Sequence, residues 1–140
     1  MFRDQFAQVL SDFGDQIKED LYLDDETDTC MFIVDQDVVV NLQYLEESDS
    51  IVIFSPIGAL GEDETAGKKA IALLKLNDLS NSSGQITLMK DPQADLILAA
   101  DHQSAPTIYS ADILASWIDI LVSAVHQTRT YFAQNFPQEE

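Results

Sequence analysis

Apolar residues recur along this chain with two periods, and the changes from one to the other mark its elements. Phe2, Phe6, Val9, Leu10, Phe13, Ile17 and Leu21 follow helical spacing with Asp and Gln between them. That predicts a first amphipathic helix, ended by the acidic stretch Glu19 to Asp28. Cys30 to Asp35 and Val38 to Leu45 are rich in β-branched and aromatic residues, and Asp35-Gln36-Asp37 between them predicts a tight hairpin. Glu46-Glu47-Ser48-Asp49 supplies the next turn and Ile51 to Ser55 a third strand. Pro56, Gly58 and Gly61 are expected to stop it.

A second helix is expected from about Asp63 to Asp78, with Glu62, Asp63 and Glu64 at its positive end. Asn81-Ser82-Ser83-Gly84 reads as a loop. Gln85 to Met89 and Asp95 to Ala100 read as short strands joined through Asp91-Pro92. Ser110 is the expected N-cap of a last helix running to about Phe136, where Pro137 stops it. The order α-β-β-β-α-β-β-α lacks β-α-β alternation, so the expected fold is α+β, an antiparallel sheet with three helices. No repeat or linker divides the sequence, which predicts a single domain over residues 1–140.

Two segments carry more apolar surface than such a fold can hide. Ala70-Ile71-Ala72-Leu73-Leu74-Lys75-Leu76 is apolar except at Lys75, whereas a helix packed on one side needs an apolar stripe only about 100° wide. Ala70, Ile71, Leu73, Leu74 and Leu76 are therefore the candidate interface with a second copy. The three-strand meander is the other case. Turns of two and four residues would place Val38, Val40, Leu42, Tyr44, Ile51, Ile53, Met31 and Ile33 on the core face. Phe32, Val34, Val39, Asn41, Gln43, Val52 and Phe54 would then share the opposite face, which is apolar where a half-exposed sheet is usually polar. These seven are the candidate partner-binding residues. A one-residue change in the first hairpin would exchange the faces of residues 30–34.

Charge narrows the choice of partner. Asp and Glu total 25 against 7 Lys and Arg, a formal net charge of −18, so nucleic acid and anionic membrane surfaces are disfavoured. Hydrophobic residues make up 46%, enough for a folded core despite that charge. The single cysteine, Cys30, excludes an internal disulfide and suits a reducing compartment. Met1-Phe2-Arg3-Asp4-Gln5 does not open a secretory signal. No apolar run approaches the roughly 20 residues that cross a bilayer. The expected location is the cytoplasm.

Motifs for chemistry are weak throughout. Asp24-Asp25-Glu26-Thr27-Asp28 has acids at calcium-loop spacing, but Thr29 stands where glycine is needed and Asp35 where a bidentate Glu belongs. His102 and His126 have no ligand spacing with each other or with Cys30, so no metal site is expected. Gly58-Ala59-Leu60-Gly61 lacks the Lys-Ser/Thr pair of a phosphate loop. Trp117, beside Leu114, Ile118, Leu121 and Val125, reads as core or interface. No catalytic residue, cofactor or small-molecule substrate is expected, and the chain reads as a binding protein.

The linear order of these segments resembles a known family. The first helix leads to Asp28-Thr29-Cys30-Met31-Phe32-Ile33-Val34-Asp35 and then Val38-Val39-Val40-Asn41-Leu42. Ile51-Val52-Ile53-Phe54-Ser55-Pro56-Ile57-Gly58 and a helix carrying Leu73-Leu74-Lys75-Leu76-Asn77 follow. Gly84-Gln85-Ile86-Thr87-Leu88 and a final helix containing aromatic residues complete the pattern. Together with small size and acidity, this resembles the class I type III secretion chaperones, the family of the Tir chaperone, over essentially the whole chain. The resemblance implies a cytosolic homodimer that binds the N-terminal segment of a secreted effector and keeps it soluble and competent for export. An adaptor or anti-activator of the same fold, binding proteins outside effector export, is the alternative.

Overall fold

The computed structural model describes residues 1–61, 64–77 and 85–137 of the chain. Its elements are α1 (Arg3–Ile17), β1 (Thr29–Val34), β2 (Val38–Leu45), β3 (Ser50–Gly58), α2 (Ala66–Leu76), β4 (Thr87–Lys90), β5 (Ile97–Ser104), a 3-10 turn at Ala105–Thr107, and α3 (Ala111–Asn135). The strands form one antiparallel sheet in the order β1-β2-β3-β5-β4. This is the expected α+β order. The expected ends of the second helix, Asp63 and Asp78, and the loop Asn81 to Gly84 lie outside the described residues.

One face of the sheet carries the core. Val38, Val40, Leu42, Tyr44, Ile51 and Ile53 are buried on it, under Phe6, Leu10 and Phe13 of α1 and Leu114, Trp117, Leu121 and Val125 of α3. Helix α3 starts where Ser110 Oγ accepts the Ile113 N–H at 3.2 Å, as a cap at that residue should. Helix α1 ends at Ile17, before the expected Leu21, because Lys18 turns left-handed (φ 60°). Leu21 and Leu23 still reach the core from the following segment.

The first hairpin departs from expectation. Val34 pairs with Val38, so Asp35, Gln36 and Asp37 together form a three-residue connection, not a two-residue one. Asp35 and Gln36 both hold positive φ, 53° and 72°, which lets the chain reverse in that length. Because side chains alternate along a strand, the extra residue reverses every face in β1. Phe32 and Val34 therefore point into the core, and Met31 and Ile33 point out. Phe32 is 7% exposed and its ring lies 5.9 Å from that of Phe13. The second turn does hold four residues, with Leu45 opposite Ser50.

Strand β3 runs on through Pro56 to Gly58, where the sequence suggested a stop. Its ladder with β2 ends at Phe54, and the β5 ladder shifts register between Pro56 and Gly58, an irregularity that accommodates proline. Arg129 of α3 fills the splayed end. Its guanidinium donates to the carbonyls of Ile57 (3.1 Å), Pro56 (3.3 Å) and Asp37 (3.2 Å).

Candidate partner-binding surfaces

The sheet's second face is defined by cross-strand pairs, since directly opposed residues share a face. Ile33 stands opposite Val39 and Met31 opposite Asn41. Asn41 pairs with Phe54 and Gln43 with Val52. Beyond them, Phe54 meets Ala100, Val52 meets His102, and Pro56 meets Leu98. Met31 and Ile33 are 69% and 63% exposed; Val39, Asn41, Gln43, Val52 and Phe54 are half-buried by one another. None of these side chains belongs to the core cluster. Among the described residues no helix packs on this face, so it is an open, largely apolar sheet.

Of the seven expected partner-binding residues, five thus stand together on that face: Val39, Asn41, Gln43, Val52 and Phe54. Phe32 and Val34 are corrected to the core, and Met31 and Ile33 take their place. The signal that could have found them is the third turn residue. Asp35, at the boundary of a β-rich run, belongs to the turn.

Helix α2 divides its apolar residues between two sides. Ala72 and Leu73 are buried and Leu76 packs against the core, whereas Ala70, Ile71 and Leu74 face solvent, Leu74 at 74% exposure. Gly67, Ala70, Ile71 and Leu74 fall at i, i+3, i+4 and i+7 and make one exposed stripe. Leu73 and Leu76, two of the five candidate interface residues, therefore look into the protomer.

Chemistry at the remaining candidates is muted. Burial pushes the Cys30 thiol above its ordinary pKa, which suppresses the thiolate a nucleophile needs. In the Asp24 turn, Oδ1 accepts the N–H groups of Glu26 (2.9 Å) and Thr27 (3.0 Å), and these bonds hold the carboxyl below its usual range. Arg3 Nε donates to Asp28 at 2.7 Å. These acids act as backbone and ion-pair partners. Among the described residues no cluster of three or more ligand-type side chains could hold a metal. His126 Nε2 instead lies 3.2 Å from Asp35 Oδ2, and Trp117 Nε1 donates to Asp101 Oδ2 at 2.8 Å.

An open apolar sheet face and a second apolar stripe on α2 are the surfaces of a protein that holds other polypeptides. The model of the Tir chaperone protein (CesT) family matches residues 8–129. The chain belongs to that family, the class I type III secretion chaperones. No curated protein matches it by sequence. Its fold is that of a chain in the HopA1–SchA chaperone–effector complex (TM-score 0.71, 19% identity, covering 91% of this chain and 95% of that one). It is also that of a chain in the complex of the Yersinia pestis type III secretion chaperone SycH with a fragment of YscM2 (TM-score 0.64, 24% identity, 89% and 98%). YbjN from E. coli, described as a candidate transcription regulator, has the fold as well (TM-score 0.67, 11% identity, 95% and 92%).

Proposed function

We propose that the protein is a cytoplasmic, homodimeric type III secretion chaperone. It binds the N-terminal segment of a secreted effector, keeps it soluble and competent for export, and does so by binding alone, without catalysis or a cofactor. The observation that carries this reading is the open sheet face bearing Met31, Ile33, Val52 and Phe54 in a member of the Tir chaperone family. A solvated apolar face of that kind favours a polypeptide that covers it. Strand addition beside β1 would let backbone hydrogen bonds supply affinity while the apolar face supplies selectivity.

The exposed stripe Ala70, Ile71 and Leu74 supports a two-fold contact between copies. Net charge of −18 keeps so apolar a surface soluble. Among the described residues no helix is long and apolar enough to cross a membrane. The adaptor or anti-activator reading keeps one specific support, the occurrence of the fold in YbjN.

Co-expression with the N-terminal segments of candidate effectors, followed by co-purification, tests the function. A segment that co-purifies with the native chain and is lost with Phe54→Asp or Ile33→Asp supports it. Retention of the segment by both variants would move the binding surface elsewhere. Binding only to full-length regulators, with no secreted protein captured, would favour the adaptor.

A further inference from the structure

A cavity of about 430 Å3 opens where the ends of β3 and α3 meet the starts of β5 and α2. Ile57, Ile97, Phe132 and Phe136 give it apolar walls, and Lys69 and Arg129 also line it. The two phenylalanine rings stand edge to face, 5.8 Å apart, and both are half-buried. Among the described residues no Asp or Glu lines the cavity. The chain carries 25 acids and only 7 Lys and Arg, so two cations on one apolar cavity reverse the sign of the surface locally.

Both cations are held in place. Lys69 shares the inward side of α2 with Leu73 and Leu76, at i, i+4 and i+7. Its Nζ donates to the Leu60 carbonyl at 3.4 Å, which uses one of the three N–H groups of an ammonium. The Arg129 guanidinium is tied to the carbonyls of Ile57, Pro56 and Asp37 and lies 3.5 Å from Asp37 Oδ2. Three of its five N–H groups go to those carbonyls.

A purely apolar occupant would strip water from the Lys69 ammonium without replacing it, and a cationic one would be repelled. We infer that this cavity binds a small amphiphilic carboxylate of the medium-chain fatty-acid class. Its alkyl chain lies against Ile97, Phe132 and Phe136, and its head meets Lys69 and Arg129. The volume is that of a small-molecule site, concave and mostly apolar with a few charged groups to orient the ligand. A ligand so placed touches α2 and α3 together. The inference stands apart from the binding of an effector, which concerns the open sheet face.

The test titrates octanoate, octanol and octyltrimethylammonium, each below its micellar concentration, into the isotope-labelled full chain and follows its amide signals by NMR. Octanoate should shift the amides of Gly58, Ala59 and Ala133 in a saturable way, and should bind at least about tenfold tighter than the other two. Lys69→Gln should weaken octanoate about tenfold, as the loss of a charge-assisted hydrogen bond does, and leave octanol unchanged. Lys69→Arg should restore it. Lys68→Gln removes the same charge from the neighbouring, exposed position and should change binding by less than about twofold.

Octanol binding as tightly as octanoate would make the cavity a plain apolar crevice and overturn the assignment. Equal losses from Lys68→Gln and Lys69→Gln would reduce the effect to net charge and overturn it as well. Shifts confined to the outer sheet face, or no saturable shift at all, would reject the site.

Discussion

The carboxamide of Asn77 serves Leu88 as a neighbouring strand would. Its Nδ2 donates to the Leu88 carbonyl and its Oδ1 accepts the Leu88 N–H, both at 2.7 Å. Leu88 pairs with Ala99 of β5 in the sheet, so the side chain at the end of α2 meets the outer backbone groups of β4. A bare edge strand pairs with whatever extended chain it meets. Asn77 covers this one in the middle of a four-residue strand.

Asn77→Ala should lose both bonds and leave two backbone groups of Leu88 without their partner. Stability should fall by about 1–3 kcal/mol, read as a lower urea midpoint with an unchanged slope. The Leu88 amide should also exchange faster with deuterium. An unchanged exchange rate at Leu88 would show that α2 holds the edge without Asn77.

Elements with a clean period were legible in the sequence, and facing was not. Helices α1 and α3 declared themselves because their apolar residues form one stripe each, and the polar run Glu46 to Asp49 announced a four-residue turn. The first turn gave no such signal. Neither Asp35 nor Gln36 is glycine or asparagine, yet both adopt left-handed backbone, and that third turn residue reversed Met31 to Val34. Strand β3 continues past Pro56, where Arg129 takes up the carbonyls of Pro56 and Ile57, a long-range contact that no local pattern displays. In α2 the apolar residues surround the helix, so only its neighbours decide that Leu73 turns in and Leu74 out.

Tyr44 and Asp49 make stability depend on pH at both ends of the scale. The Tyr44 hydroxyl donates to Asp49 Oδ1 and accepts from the ammonium of Met1 at 3.1 Å, and the Phe2 N–H also donates to that carboxylate at 3.1 Å. The bond to Asp49 raises Tyr44 from 10.0 to about 12 and holds Asp49 below its ordinary value of 3.8. A raised phenol contributes fully below its unfolded pKa and loses that contribution as pH climbs through about 12. A lowered carboxyl contributes above its unfolded pKa and loses that contribution as pH falls through its folded value. Ultraviolet titration should find one tyrosine ionising near 12. Tyr44→Phe should abolish that step, cost about 1 kcal/mol at neutral pH, and return Asp49 toward its ordinary range.

Gly14 and Lys18 fix how α1 hands over to the segment that crosses the core. A Cβ at Gly14 would stand 2.5 Å from the Glu19 carbonyl oxygen and 3.2 Å from the Leu21 nitrogen, both backbone atoms that cannot swing aside. The Glu19 N–H donates back to the Gly14 carbonyl at 2.8 Å. Gly14→Ala should therefore destabilise by about 1–3 kcal/mol, as overpacking does. At φ 60° Lys18 occupies a conformation that glycine adopts freely, so Lys18→Gly should stabilise by about 0.5–1 kcal/mol. Chemical denaturation of the two variants should move the midpoint in opposite directions.

Ser55 buries a hydroxyl in the core, and among the described residues its Oγ has no hydrogen-bond partner. A buried polar group left unpaired costs more than it returns. Ser55→Ala should raise stability by about 1 kcal/mol, seen as a thermal midpoint roughly 3–5 °C higher. A lower midpoint would mean that the oxygen contributes packing that alanine does not replace.

The two faces of α2 separate assembly from folding. Leu74 is 74% exposed and Leu73 only 7%, although they are adjacent and chemically identical. A charge at Leu74 meets water in the single chain and is buried only if a second copy covers the Ala70, Ile71 and Leu74 stripe. Leu74→Asp should thus leave the circular dichroism spectrum intact and shift sedimentation from dimer to monomer. Leu73→Asp places the same carboxylate in the core, where an unpaired charge is not tolerated, and should unfold the protein. A Leu74→Asp variant that sediments as an intact dimer would move the two-fold contact off this stripe, and the open sheet face would then be the apolar surface available to a second copy.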